Sequence, residues 1–334
     1  MVRILAVFLI LISTAPAFGA GFAKVGAFGF TYDGLFTGTR STALGQGDMA
    51  GAYGPGATQI NTAPLPLGDG IEASYNGNPF LADLDFAVWG ADVEVQGLRL
   101  GFSQFRLFMD PQLVRTAYNP EGTGETFDAG DDISILSLGY DLGRLVDEDG
   151  RWQWTLGAAW RHYASFLAES KVEEDTWDVG TSLGWTTPHP HGRARLALAV
   201  SWQNVFEKEY TYDERMAYLP ASVRTGITLE ATFGQAAWGG EAAKVLMAYS
   251  HRFLPDTWRG RDTDHFGVEF VGAGYLAMRM GHNSQLPGNI NSWGLGLILA
   301  RDFMGPFTVS ADYGTYETVL RELEMWSVRA RYAF

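Results

Sequence analysis

The sequence predicts an all-β protein: a transmembrane antiparallel β-barrel of about fourteen strands, with an N-terminal hatch inside its lumen. Three observations carry that prediction. The first is the closing stretch, where Trp326, Val328, Ala330, Tyr332 and Phe334 alternate with Ser327, Arg329, Arg331 and Ala333. A strand sends alternate side chains to opposite faces, so one face here is apolar and the other carries two charges. The second is the start, which has the layout of an export signal. The third is the recurrence of similar alternating segments from about residue 70 to the end.

In chain order, Arg3 precedes the apolar run Ile4–Ile12, and small residues follow at Ala15, Ala17, Gly19 and Ala20. That is the layout of a secretory signal peptide over residues 1–19, with cleavage after Gly19 or Ala23. The alternative is an N-terminal membrane anchor, but the run is shorter than the roughly 20 residues that a spanning helix needs. No other long apolar run follows. The chain has 11 Trp, 14 Tyr, 21 Phe and 41 Gly, residues suited to membrane interfaces and to strand bends. A net charge of −14 without a basic patch argues against a nucleic-acid partner. With no Cys there is no disulfide framework and no thiolate metal site.

Residues 24–68 do not alternate. They are rich in Gly, Ala and Pro, too apolar for a free linker and too rich in Gly for one long helix. A barrel of about fourteen strands has a bore wide enough to hold such a segment, which is therefore expected to fold there as a hatch, with Arg40, Gly45, Asn61 and Pro64 on it.

The barrel is expected over 71–334. Its candidate strands are Ile71–Asn76, Asp85–Glu94, Gly97–Phe108, Asp132–Leu142, Trp152–Tyr163, Thr176–Thr186, Arg195–Asn204, Ser222–Ala231, Ala243–Arg252, Asp264–Val271, Gly274–His282, Ser292–Asp302, Phe307–Gly314 and Glu324–Phe334. Trp152, Trp154, Leu156, Ala158 and Trp160 share one face; Trp177, Val179, Thr181, Leu183 and Trp185 repeat the design, as do Trp293, Leu295, Leu297 and Leu299. Aromatics at strand ends and aliphatics between them describe two girdles around a lipid band. A soluble β-sandwich, the alternative, needs neither end Trp nor signal. Short turns such as 147–150, 272–273 and 305–306 alternate with longer polar connections at 111–130, 207–220, 254–263, 285–291 and 315–323. Short turns belong on the periplasmic side and long loops outside.

Several stretches resemble one family. Gly38-Thr39-Arg40-Ser41-Thr42-Ala43-Leu44-Gly45, followed by Asn61-Thr62-Ala63-Pro64-Leu65, is similar to the N-terminal region of PorV/PorQ-type outer-membrane proteins. These belong to the superfamily of the long-chain fatty-acid transporter FadL. The second motif departs from the family's Asn-Pro-Ala-Gly-Leu. Leu219-Pro220-x-x-Val223-Arg224-x-Gly226 resembles a family strand start, and Phe266–Phe270 with Leu276–Gly281 resembles a family hairpin. The likeness spans most of residues 36–334. It implies a fourteen-stranded barrel with an N-terminal hatch, and either of two roles. PorV-like members bind secreted cargo and the type IX secretion translocon; FadL-like members pass hydrophobic molecules to the membrane through a lateral opening. The terminal Trp326, Val328, Tyr332 and Phe334 also resemble the closing strand of bacterial outer-membrane proteins, whose final Phe is read by the barrel insertion machinery.

No catalytic constellation stands out. Gly-x-Ser-x-Gly, His-Glu-x-x-His and a phosphate loop do not occur, and His162, His251, His265 and His282 have no matching Ser or acid in a motif. The chain is expected not to be an enzyme and to need no cofactor. His189-Pro190-His191 reads as a loop tip rather than a metal site, and Asp147-Glu148-Asp149 as a solvated turn rather than a calcium site at an outer surface. Strand parity sends Arg161, Arg224, Glu230, Glu269, Arg279, Asp312, Arg329 and Arg331 into the lumen, because a charge on the lipid face costs about 2–4 kcal/mol near the midplane. Their ordinary role is to hold the hatch, with Arg40 and Asn61 as partners; the sharper one is to touch a permeant.

The expected function is that of an integral protein of the bacterial outer membrane that acts by binding and passage. The first reading is a PorV-like accessory of protein export, whose partner is a translocon or a cargo protein. The alternative is a FadL-like porter for small hydrophobic molecules.

Overall fold

The computed structural model describes residues 38–79, 84–147, 150–168, 170–206, 208–212, 215–219, 221–235, 241–254, 262–284, 290–299, 306–317 and 322–334. The expected signal peptide and residues 24–37 of the expected hatch lie outside them. Among the described residues no helix is long and apolar enough to cross a membrane.

Fourteen strands close into one barrel. In chain order they are β1 (Gly70–Pro79), β2 (Leu84–Val95), β3 (Leu98–Met109), β6 (Ala129–Asp141), β7 (Trp152–Leu167), β8 (Ser170–His189), β9 (Gly192–Gln203), β12 (Ser222–Gln235), β13 (Glu241–Phe253), β14 (Thr263–Gly272), β15 (Leu276–Asn283), β16 (Ile290–Leu299), β17 (Phe307–Glu317) and β18 (Glu322–Ala333). Each corresponds to one candidate strand of the sequence, although several run longer, β8 by the most. Two small hairpins were not foreseen, β4 (Gln112–Leu113) with β5 (Thr126–Phe127) and β10 (Glu209–Tyr212) with β11 (Arg215–Tyr218). Both lie in connections that the sequence reads as loops, where too few residues alternate to signal a strand.

Every ring neighbour is antiparallel, and β1 closes on β18 from Gly70↔Ala333 to Gly77↔Trp326. Closure leaves no free sheet edge around the ring. At one end the connections are short. Val95↔Leu98 is bridged by Gln96 and Gly97, both at positive φ (51° and 81°), as the twist of a two-residue hairpin requires. The connection from β6 to β7 holds a short helix, α2 (Gly143–Val146), tied by Asp141, whose Oδ1 accepts from the backbone N–H groups of Gly143 and Trp154. The opposite end carries the longer connections. These are the turn end and the loop end below. Asp147 and Gly150 of the expected short turn sit at the turn end, with the other short connections; Glu148 and Asp149 lie outside the described residues. Asp147 there caps the start of β7 by accepting from the Trp152 N–H at 2.6 Å.

Outward positions carry the apolar band. Ile71, Leu136, Leu138, Met247, Val268, Leu295, Leu297 and Val328 are all exposed on it. Aromatic pairs flank the band: Tyr75–Trp326 and Trp293–Tyr313 toward the loop end, Trp152–Trp185 and Phe307–Tyr332 toward the turn end, with ring centroids 4.9–6.0 Å apart. A surface this apolar is stable only against lipid. Trp326, Val328, Tyr332 and Phe334 all belong to this exposed face.

Candidate functional site

The interior is the candidate site, and it begins with residues 38–69. A short helix, α1 (Thr39–Ala43), rests against β15–β18. A 3₁₀ turn at Met49–Gly51 rests against β9, β12 and β13, and another at Pro55–Gln59 against β1–β3. One segment that touches strands on all these sides of a closed ring crosses its bore. Residues 39–50 are buried throughout.

Glycine makes this approach possible. Gly45 has φ +61°, and a Cβ there would lie 2.6 Å from the His282 nitrogen and 2.8 Å from the Phe266 carbonyl. The wall matches it: a Cβ on Gly281 or Gly157 would collide with the backbone of Gly45 or Thr62. Polar bonds complete the seating. Asn76 Oδ1 accepts from the Thr39 N–H at 3.1 Å, and Ser250 donates to the Gln46 carbonyl at 2.9 Å. Gln203 donates to the Gln59 carbonyl.

The charged centre is built around Glu269. Arg40 donates to its two oxygens at 3.0 and 3.1 Å, Arg279 donates at 2.6 Å, and Lys244 lies 2.9 Å away. Arg40 also donates to Asp48 at 2.7 Å, and Arg279 to Asp312 at 2.6 Å. Three cations thus meet the three carboxylates of Asp48, Glu269 and Asp312, with Glu230 3.9 Å from Lys244. Burial alone would lower the Arg40 pKa. Glu269, Tyr53 and Asp48 more than offset it, so the guanidinium stands well above the ordinary arginine value.

The other sequence-predicted charges sit on the inward face as well. Arg161 is fully buried and pairs with Asp178 at 2.6 Å; Arg224 donates to Gln46 at 3.3 Å. Arg329 lies 3.6 Å from Glu72, and Arg331 donates to the Gly68 carbonyl at 2.7 Å. Among the described residues Asn61 bonds no lumen charge, although the sequence suggests it as a partner for one: its amide donates to the Met49 carbonyl and the Ser182 hydroxyl, and its oxygen accepts from the Ala63 N–H. It shapes the segment's own turn. Pro64, the residue after Ala63, is buried.

Sequence reasoning missed Asp178, Glu72, Asp48 and Lys244. Asp178 was legible, because Trp177 and Val179 face out and leave it inward, diagonal to Arg161 on the neighbouring strand. Asp48 had no such signal, since it lies where nothing alternates. A larger omission is the inward apolar sector at the loop end. Phe86, Val88, Phe105, Ile133, Ile135, Tyr163, Tyr316, Leu323 and Met325 form one buried cluster with Leu219. They belong to β2, β3, β6, β7, β17 and β18, neighbours in the ring apart from β1 between β2 and β18. Toward the turn end the same strands turn polar on the same face, with Asp92 and Glu94, Arg99 and Ser103, Ser137 and Asp141, Ser327 and Arg329. Parity gave their direction; no sequence rule said that the bore would be apolar at one end.

His162, His251 and His282 face outward near the loop end, bonded to Asp175, Asp264 and Asn291 at 2.8–2.9 Å. His265 faces inward and meets Thr263 and the Gly45 carbonyl. His189 accepts from the His191 N–H within its turn.

No family model and no curated protein matches the chain. Several solved structures are similar to it. The Ralstonia pickettii toluene transporter TbuX is 12% identical with a TM-score of 0.44, covering 92% of this chain and 100% of that one. The Pseudomonas putida toluene transporter TodX is 11% identical with a TM-score of 0.46, covering 87% and 95%. The monoaromatic hydrocarbon channel CymD is 13% identical with a TM-score of 0.43, covering 90% and 98%.

Proposed function

We propose that this chain is an integral barrel of the bacterial outer membrane that passes small hydrophobic molecules, and that residues 38–69 are its hatch. The observation that carries the reading is the inward apolar sector at the loop end. Barrel interiors are ordinarily polar, because they face water. Phe86, Phe105, Ile133, Ile135, Leu323 and Met325 instead pack there into a buried apolar cluster, and parting their side chains would give an apolar solute an environment it prefers to water. The turn end would face the periplasm and the loop end the outside, as short turns and long loops do in such barrels. The hatch, bonded through Arg40, Gln46 and Gly45, would hold the passage closed at rest.

Influx of the uncharged fluorescent probe N-phenyl-1-naphthylamine into cells that express the chain tests this reading. Faster influx than in cells without it is expected, and Phe105→Asp should abolish the gain by placing a charge in the apolar wall. Influx that the chain does not change would refute the passage.

A second reading, a PorV-like partner barrel in protein export, is favoured by the loop-end rim. There β8 runs on past β9, whose pairing begins only at Val179↔Trp202. The charged stretch Lys171–Asp175 and the two hairpins give that rim a polar relief suited to a protein partner. Gentle extraction from native membranes would separate the readings: recovery of a translocon or cargo favours the second, and recovery of the barrel alone counts against it.

A further inference from the structure

Two cavities flank residues 38–69 on different sides of the bore. One, of about 60 Å³, lies between the segment and β1, β17 and β18, where Ser74, Asp312 and Arg329 line it. The other, of about 190 Å³, lies between the segment and the turn-end halves of β9, β12 and β13, where Arg195, Glu230 and Lys244 line it. Ala52 and Tyr53 line both. Ala52 has a single methyl group and cannot move out of the way. The half-buried ring of Tyr53 can.

That ring is clamped between two guanidinium groups. Arg40 lies over it at 4.4 Å from the ring centroid and Arg329 at 4.2 Å. Such stacking is attractive, more so away from water. The two jaws differ. Arg40 is fixed by its bonds of 2.7–3.1 Å to Asp48 and Glu269. Among the described residues Arg329 is held by Ser310 at 3.2 Å and Glu72 at 3.6 Å, both longer than the bond of Arg40 to Asp48. The clamp therefore yields on the Arg329 side, toward β18.

We infer that Tyr53 is the valve of the bore. Swinging its ring away from Arg40, together with Arg329, joins the two cavities into one oblique route from the turn end past the segment and on into the loop-end half of the bore, without removal of the segment. The route is lined by charges of both signs, so it fills with water once open and conducts ions whatever solute uses it. The inference rests on the reading of the barrel as a passage, and names the residue that governs that passage.

Planar-bilayer recordings in potassium chloride test it, with heat-modifiable gel mobility as the check of folding. Tyr53→Ala should open on the order of tenfold more often than the parent chain, while Tyr53→Phe, which keeps the ring, should stay closed. Arg329→Gln removes one jaw and should give an intermediate gain; it carries the test if Tyr53→Ala does not assemble. Folded Tyr53→Ala, or Arg329→Gln in its place, with the conductance of the parent overturns the valve. The probe influx of the parent chain is read in parallel. Influx with flat conductance across the variants sinks the valve alone; a conductance gain without influx sinks the apolar passage and leaves the valve standing.

Discussion

Arg161 and Asp178 face each other across β7 and β8 with neither side chain exposed. Their pairing is a balance of large terms, since each charge has left water and is compensated by the other. Removing one partner should therefore cost far more than removing both charges. Arg161→Met is expected to lose about 3–5 kcal/mol of stability by leaving Asp178 buried and uncompensated. Adding Asp178→Asn should recover much of that, because the amide oxygen can still accept from the Asn204 N–H that now bonds Asp178. Thermal unfolding in detergent checks the order; a double variant no more stable than Arg161→Met would be the contrary result. Glu269 differs, because three cations depend on it. Glu269→Gln removes the one negative charge that Arg40, Lys244 and Arg279 share, and is expected to lower the unfolding temperature more than the exposed Glu173→Gln.

At the scale of elements, the wall and the segment fit because specific wall positions have no side chain. Gly281 lies against Gly45, whereas a Cβ on Gly139 would find its nearest neighbour at 3.7 Å, an ordinary contact. Gly281→Ala should thus cost about 1–3 kcal/mol through overpacking, and Gly139→Ala little. Unfolding temperatures of the two variants should separate clearly; equal values would mean that the segment is seated less tightly than its backbone contacts imply. The strands themselves were legible, because a lipid-out, polar-in strand writes its period into the sequence. The small hairpins β4–β5 and β10–β11 were not, since two to four residues are too few to show a period. Residues 38–69 were legible only as an exception to alternation. Their turns depend on wall residues well over a hundred positions away, such as Gln203 and Ser250, and local sequence does not encode those contacts.

For the whole molecule, the ring is complete only when β1 pairs with β18. We propose that Phe334, exposed at the end of the apolar face, also serves as an insertion signal. Deleting it should reduce assembled barrel in cells while leaving the stability of protein refolded in detergent nearly unchanged. Equal loss in both settings would make Phe334 a structural residue only. The sequence by itself determined a barrel of about fourteen strands, the face each strand gives to lipid and the inward aim of the charges, because all three follow from a period of two and the cost of charge in hydrocarbon. Only the tertiary structure decided which charges meet and that one sector of the bore is apolar. It also placed Tyr53 between two guanidiniums and two cavities. Those facts join residues far apart in the chain, and closing the ring is what brings them within a few ångströms of each other.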